Sequence, residues 1–148
     1  MKRTLLFRTI IFIFSITTSN YALSQLNNWE EHYKDENVKI EYNYLICDFS
    51  STASQELVIF RFTNLTENNI TLEYETIIWN NNIKINTEQN QNEFRKTIQL
   101  RKGEIITIDC QNESKEHTIF SAFVHNETNE RYITLTQFEL NNIITRNE

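Results

Sequence analysis

The chain has 148 residues, and those whose chemistry reaches beyond packing are two cysteines, three histidines and a pair of alternating glutamates. Cys47 and Cys110 pose the sharpest question: nucleophile, metal ligand or the two halves of a disulfide. A nucleophilic cysteine needs a neighbour that lowers its pKa, and no motif around either residue supplies one. Zinc needs about four Cys or His ligands at short spacings. His117 and His125 fall on one expected strand. At about 3.3 Å per residue they stand roughly 26 Å apart, too far to share an ion. His32 is alone near the start of the mature chain, so all three histidines read as surface or rim residues. Glu73 and Glu75 share a strand face with Thr71 and could turn oxygens toward calcium, but such ions take about six to eight oxygens from a shaped loop. The stripe reads as a solvated face. The sequence holds no nucleophile elbow, phosphate-binding glycine loop, metalloprotease helix or haem motif, so no catalytic, metal or cofactor residue is assigned.

The compartment decides what the cysteines do. Lys2, Arg3 and Arg8 surround the entry to an apolar run from Thr9 to Ile16, and the small residues Ala22 and Ser24 follow. That order reads as a secretory leader, residues 1–24, cleaved after Ser24. The run is far short of the roughly 20 apolar residues of a spanning helix, so no membrane anchor is expected once the leader is gone. Export places Cys47 and Cys110 where thiols pair, and a disulfide between them is the expectation. Closing so long a loop stabilises a fold by roughly 4 kcal/mol in the chain-entropy model. One detail opposes the pairing: Cys110 is in phase with Ile106 and Ile108, whereas Cys47 is in phase with Lys39, Glu41 and Asn43. Both cysteines sit at strand ends, so a bulge or the start of a loop would turn Cys47 inward.

The elements that hold these residues are strands. "VKIEYNYLIC" alternates Val38, Ile40, Tyr42, Tyr44 and Ile46 against polar residues, which predicts one buried and one wet face. "ELVIFRFTN" is apolar on both faces and reads as a central strand; "ITLEYETIIW" follows across "NLTENN", so the two are expected to form a hairpin. A short "IKI" and the loop "NTEQNQNE" come next. "FRKTIQL" and "EIITIDC" are expected to pair as a hairpin across "RKG", whose Gly103 is the lone glycine and supplies the positive φ of a tight turn. "HTIFSAFVH" and "RYITLTQFEL" are expected to pair across "NETNE". Before all of these, Trp29 and Tyr33 stand four apart and would share a face of one or two helical turns docked on the domain. Asparagine, which tolerates left-handed backbone, replaces glycine and proline in turns such as Asn80 to Asn82.

About seven short strands with turns between them predict an all-β protein: an immunoglobulin-like antiparallel β-sandwich, residues 25–148, as a single domain. The order Cys47, Trp79, Cys110 resembles that of immunoglobulin domains. It departs from them because two or more strands separate Cys47 from Trp79, and Ile108 holds the place of their tyrosine. The sequence also resembles small exported bacterial β-sandwich proteins of uncharacterised function, through Trp29, Cys47, "VIFRFTNLTENN", "LRKGE" before Cys110, and "LTQFEL". That resemblance implies an envelope location and a sandwich fold, and brings no catalytic residues.

Loss of the leader takes the formal charge from −6 to −9. Such a surface repels phosphate backbones and excludes nucleic acid as a partner. The expected function is a non-enzymatic binding or accessory domain, periplasmic or secreted, whose edges or loops contact another envelope protein or a glycan. The alternative is a small secreted hydrolase or exported inhibitor acting through a cleft, since paired carboxylates can meet in three dimensions without a sequence motif.

Overall fold

The computed structural model describes residues 28–50, 53–111, 115–124 and 133–148; the expected leader and His125 lie outside them. The described chain is all-β and forms two facing antiparallel sheets. In the first, β1 (Glu30–Lys34) pairs β2 (Val38–Ser50), which pairs β3 (Ala53–Asn64). The other side of β3 is shared by β7 (Ile105–Thr107) and β8 (Ile119–Val124). In the second sheet β4 (Ile70–Asn80) is central. One of its sides takes β9 (Leu135–Asn147), and the other takes β5 (Ile83–Lys84) and β6 (Arg95–Leu100). A single helical turn, α1 (Gln91–Phe94), precedes β6.

Alternation dictates the core. Val38, Ile40, Val58, Phe60 and Phe62 point inward from the first sheet, and Ile70, Leu72, Tyr74, Ile98, Leu100 and Leu140 from the second. The rings of Phe62 and Tyr74 meet between the sheets at 5.6 Å, and those of Phe60 and Phe138 at 5.8 Å. A layer of this kind, dry and built from both sheets, is the main source of stability in a sandwich.

The turns follow their chemistry. Asn81 and Asn82, at φ of 49° and 64°, make the two-residue turn between β4 and β5, the geometry whose twist suits a hairpin. Gly103 has φ of 63° and closes the turn in which the Glu104 N–H donates to the Arg101 carbonyl at 2.9 Å.

Three expected pairings are corrected. β3 and β4 belong to different sheets, as do β6 and β7, and β8 and β9; among the described residues an isolated bridge joins Ala122 of β8 to Thr134, just before β9. Two strands packed face to face and two paired side by side show the same alternation, so the pattern alone cannot separate them. Asn64 decides the first two cases. Its buried amide nitrogen donates to the carbonyls of Asn68 (2.8 Å), Leu100 (3.3 Å) and Arg101 (2.9 Å), and its oxygen accepts from the Thr66 N–H and hydroxyl. One side chain thereby ties the β3–β4 and β6–β7 crossovers together. The segment around Trp29 is also corrected, from helix to the entry of β1. Trp29 packs on the outside of the first sheet and Tyr33 against the inner core, which a shared helical face would forbid.

Candidate functional site

Both cysteines lie on the outer face of the first sheet. Cys47 is 2% exposed and paired with Gln55 in unbroken register, so no bulge turns it inward. The outer face is itself apolar there: Leu57 and Ile59 are buried beside Cys47, with Trp29, Leu45, Cys110 and Phe120 packed over them. β7 and β8 run along β3 in one direction as a broken strand. The Ile108 N–H still donates to the Phe60 carbonyl at 2.9 Å, and then the chain leaves the ladder at Asp109; β8 pairs with β3 again from Ile119. Cys110 falls just after that departure, so its expected place on the inner face is corrected. It bonds Cys47 across β3, with S–S 2.04 Å and Cα atoms 5.5 Å apart. Bonded in this way, neither sulfur is available as a nucleophile or ligand.

The same excursion returns through a short 3₁₀ turn, Lys115–His117, and plants His117 in the core. The residue is 5% exposed, so its reading as a surface histidine is corrected. Its Nδ1 and the Tyr74 hydroxyl are 2.7 Å apart, and its ring meets Phe62 edge-on at 6.1 Å. Burial pushes the His117 pKa down, with Glu116 opposing, and pushes the Tyr74 phenol far up. His32 is likewise half-buried. It stacks on Phe138 at 5.2 Å, meets Tyr42 edge-on, and accepts the Leu140 N–H at Nε2 (3.2 Å), which joins the β1 edge to the β9 edge. Burial lowers its pKa. These are framework histidines with separate partners.

The glutamate stripe on β4 is tied up by partners. Arg146 holds Glu73 through both guanidinium nitrogens, at 2.8 and 3.1 Å, and the Asn142 amide donates to Glu75 at 2.9 Å. Asn142 sits at φ 51° in the bulge that β9 forms opposite this stretch, and a shallow hollow of about 300 Å³ opens beside it. Among the described residues no three His, Cys, Asp or Glu side chains are grouped to hold a metal ion. Nor, among the same residues, does a helix long and apolar enough to cross a membrane occur.

The far end of β2 and β3 is organised differently. Tyr42, Tyr44 and Ile46 all point to the inner face, as expected, but the expected burial fails past Tyr42. Tyr44 is 47% exposed and Ile46 is 55% exposed. β4 and β9 cover the inner face only as far as the point where Tyr42 meets Phe138, at 5.1 Å, and the longer strands overhang it. Tyr44 leans edge-on against Tyr42 at 6.1 Å. Glu30, opposite Tyr42, accepts that ring's hydroxyl, and the hydrogen bond with burial pushes the Tyr42 pKa up to about 12. Glu56, opposite Ile46, accepts the Ser121 hydroxyl at 2.6 Å. A hollow of about 310 Å³ is lined there by Asn28, Asn43, Tyr44, Leu45, Ile46 and Glu56. Sequence reading missed this surface because alternation marks Tyr44 and Ile46 as core, and only the unequal lengths of the facing strands expose them.

Comparison with known protein families, curated proteins and solved structures finds no match to this chain.

Proposed function

We propose that this protein is a non-enzymatic exported binding domain of the cell envelope, which contacts another envelope protein through the overhanging end of β2 and β3. The observation that carries the reading is the pair Tyr44 and Ile46, large side chains exposed side by side on a rigid sheet. Exposed apolar groups next to aromatic neighbours mark contact surfaces, since leaving them in water forfeits about 25 cal/mol for each Å² of apolar surface. Export is supported by the leader-like residues 1–24 and by the Cys47–Cys110 bond, which persists in oxidising compartments. We read residues 25–148 as one domain.

The reading of the fold as immunoglobulin-like is kept in permuted form. With β7 and β8 taken as one column, β3 between β2 and that column stands as strand E between D and B. In the other sheet β4 between β6 and β9 stands as F between G and C. The disulfide then lies on one sheet's outer face, instead of joining two sheets as in antibody domains.

The test is a photo-crosslinking amino acid at position 46, compared with position 99 on the second sheet, in cells producing the full chain. A discrete adduct with one envelope protein from position 46 alone is expected. Equal labelling from both positions, or a protein recovered with residues 1–24 and free thiols, refutes the proposal.

A further inference from the structure

The overhang also carries a charge pattern that bears on what it binds. Glu30 on β1, Glu56 on β3 and the side chains of Tyr42, Tyr44 and Ile46 between them all project from one sheet face, because Glu30 pairs with Tyr42 and Glu56 with Ile46 in the ladders. Each carboxylate gives one oxygen to a hydroxyl of the framework, from Tyr42 or Ser121, which fixes its direction. Among the described residues neither has a lysine or arginine within ion-pair distance, whereas Glu41 on the opposite face of the same sheet is held by both Lys39 (2.7 Å) and Arg61 (2.8 Å). Both open carboxylates act on the Tyr44 phenol, adding to burial in raising its pKa.

Building on the reading of this surface as a contact site, we propose that its occupant is a cationic segment of another exported polypeptide, an arginine or lysine flanked by apolar residues. The guanidinium or ammonium lies over the Tyr44 ring between Glu30 and Glu56, and the apolar neighbours cover Ile46. Three forces converge on that choice. A cation over an aromatic face gains about 0.5–1 kcal/mol even where solvent reaches it. Carboxylates already oriented by hydroxyls make strong charge-assisted hydrogen bonds without having to be ordered first. The hollow of about 310 Å³ is at the lower end of the range for small-molecule pockets and suits one long side chain. Two carboxylates are too few for a hard cation alone. A twofold contact between copies would set Glu30 and Glu56 against their own equivalents, so a second copy is disfavoured.

The experiment titrates the oxidised protein with a fluorescent six-residue peptide alternating Lys and Val, and with the matching Glu and Val peptide, by anisotropy. The Lys peptide is expected to bind and the Glu peptide not to. The double substitution Glu30→Gln, Glu56→Gln should weaken binding on the order of tenfold, and Tyr44→Ala should do the same. The double substitution Glu67→Gln, Glu88→Gln, which removes equal charge elsewhere, should leave it unchanged. Equal losses in the two double variants would show attraction to net charge alone and overturn the proposal. Concentration-dependent self-association abolished by Ile46→Ser would overturn it in favour of a second copy. If neither peptide binds while position 46 still crosslinks one envelope protein, the cationic partner is wrong and the contact surface stands; if both fail, both readings fall.

Discussion

The β2–β3 hairpin has one end at Val38 and Asn64, while the half toward its turn carries Ile46 and Glu56, and the two ends solve the same problem in opposite ways. At the first end polar groups are closed off by partners: Asn64 satisfies three carbonyls, and Glu41 is held by two cations on the outer face, which keep its pKa low, with Arg61 the larger influence. Arg61 in turn lies over Trp29 at 4.7 Å. At the second end the burial is inverted. The outer face is dry around Cys47, while the inner face carries Tyr44 and Ile46 into solvent between two carboxylates. The same pair of strands thus serves as framework where the second sheet covers it and as contact surface where the second sheet stops.

The comparison can be broken hardest at the disulfide, which ties Cys110 over the outer face of the far end. Cys47→Ser with Cys110→Ser should cost about 4 kcal/mol, because the residues joined are 63 apart in sequence. Urea unfolding with and without reductant checks this, and a loss below about 1 kcal/mol would mean that Leu57 and Ile59 are covered without the bond. Next comes the closed end. Asn64→Ala leaves the carbonyls of Asn68, Leu100 and Arg101 without that donor, and should cost about 3 kcal/mol. An exposed asparagine such as Asn141 changed to alanine gives the baseline; equal midpoints for the two variants would remove Asn64 from its role as clamp.

Asn64 also shows where sequence reading stops. Faces were legible within most strands: the alternation in β4 assigns Ile70, Leu72, Tyr74, Thr76 and Ile78 to the buried side, and the first four are buried while Ile78, near the strand end, is partly so. The turns at Asn81, Asn82 and Gly103 were legible too, because few residues adopt positive φ readily. Partners were not. Whether Phe62 lies beside or across from β4 depends on a hydrogen-bonding side chain at one corner, and an asparagine inside "FTNLTENN" looks like any turn residue. The histidines failed for the same reason, since His117 enters the core from an excursion that interrupts a strand without changing its pattern. Tyr44 and Ile46 failed through length, as each strand's reach is set by its neighbours in space.

Acid separates the two ends by a different route. His32 and His117 both have pKa values lowered by burial, so between their folded values and about 6.5 the unfolded chain binds more protons than the folded one. Their contribution to stability is full above about pH 6.5 and is lost as the pH falls through their folded values. The Glu41 contribution also disappears toward acid, but only below its ordinary value of 4.5, because its pKa too is depressed. Stability measured from about pH 8 to about pH 5 should therefore decline below about pH 6.5, and His32→Gln should flatten part of that decline. A profile that is level across this range would show that neither ring is held neutral by the fold.

The smallest effect on stability belongs to the far end and is the most telling for function. Tyr44→Ala and Ile46→Ser remove side chains that are about half in solvent, so each should shift the unfolding free energy by no more than about 0.5 kcal/mol. Leu72→Ala, a truncation in the covered core, should cost about 2–5 kcal/mol by comparison. Residues that contribute to a core resist substitution, whereas residues kept for contact lose the contact and leave the fold standing. If Ile46→Ser proves as damaging as Leu72→Ala, the overhang is part of the core and the contrast between the two ends disappears; if it is nearly silent in unfolding yet ends crosslinking from position 44, the far end of the sheet is maintained for its partner.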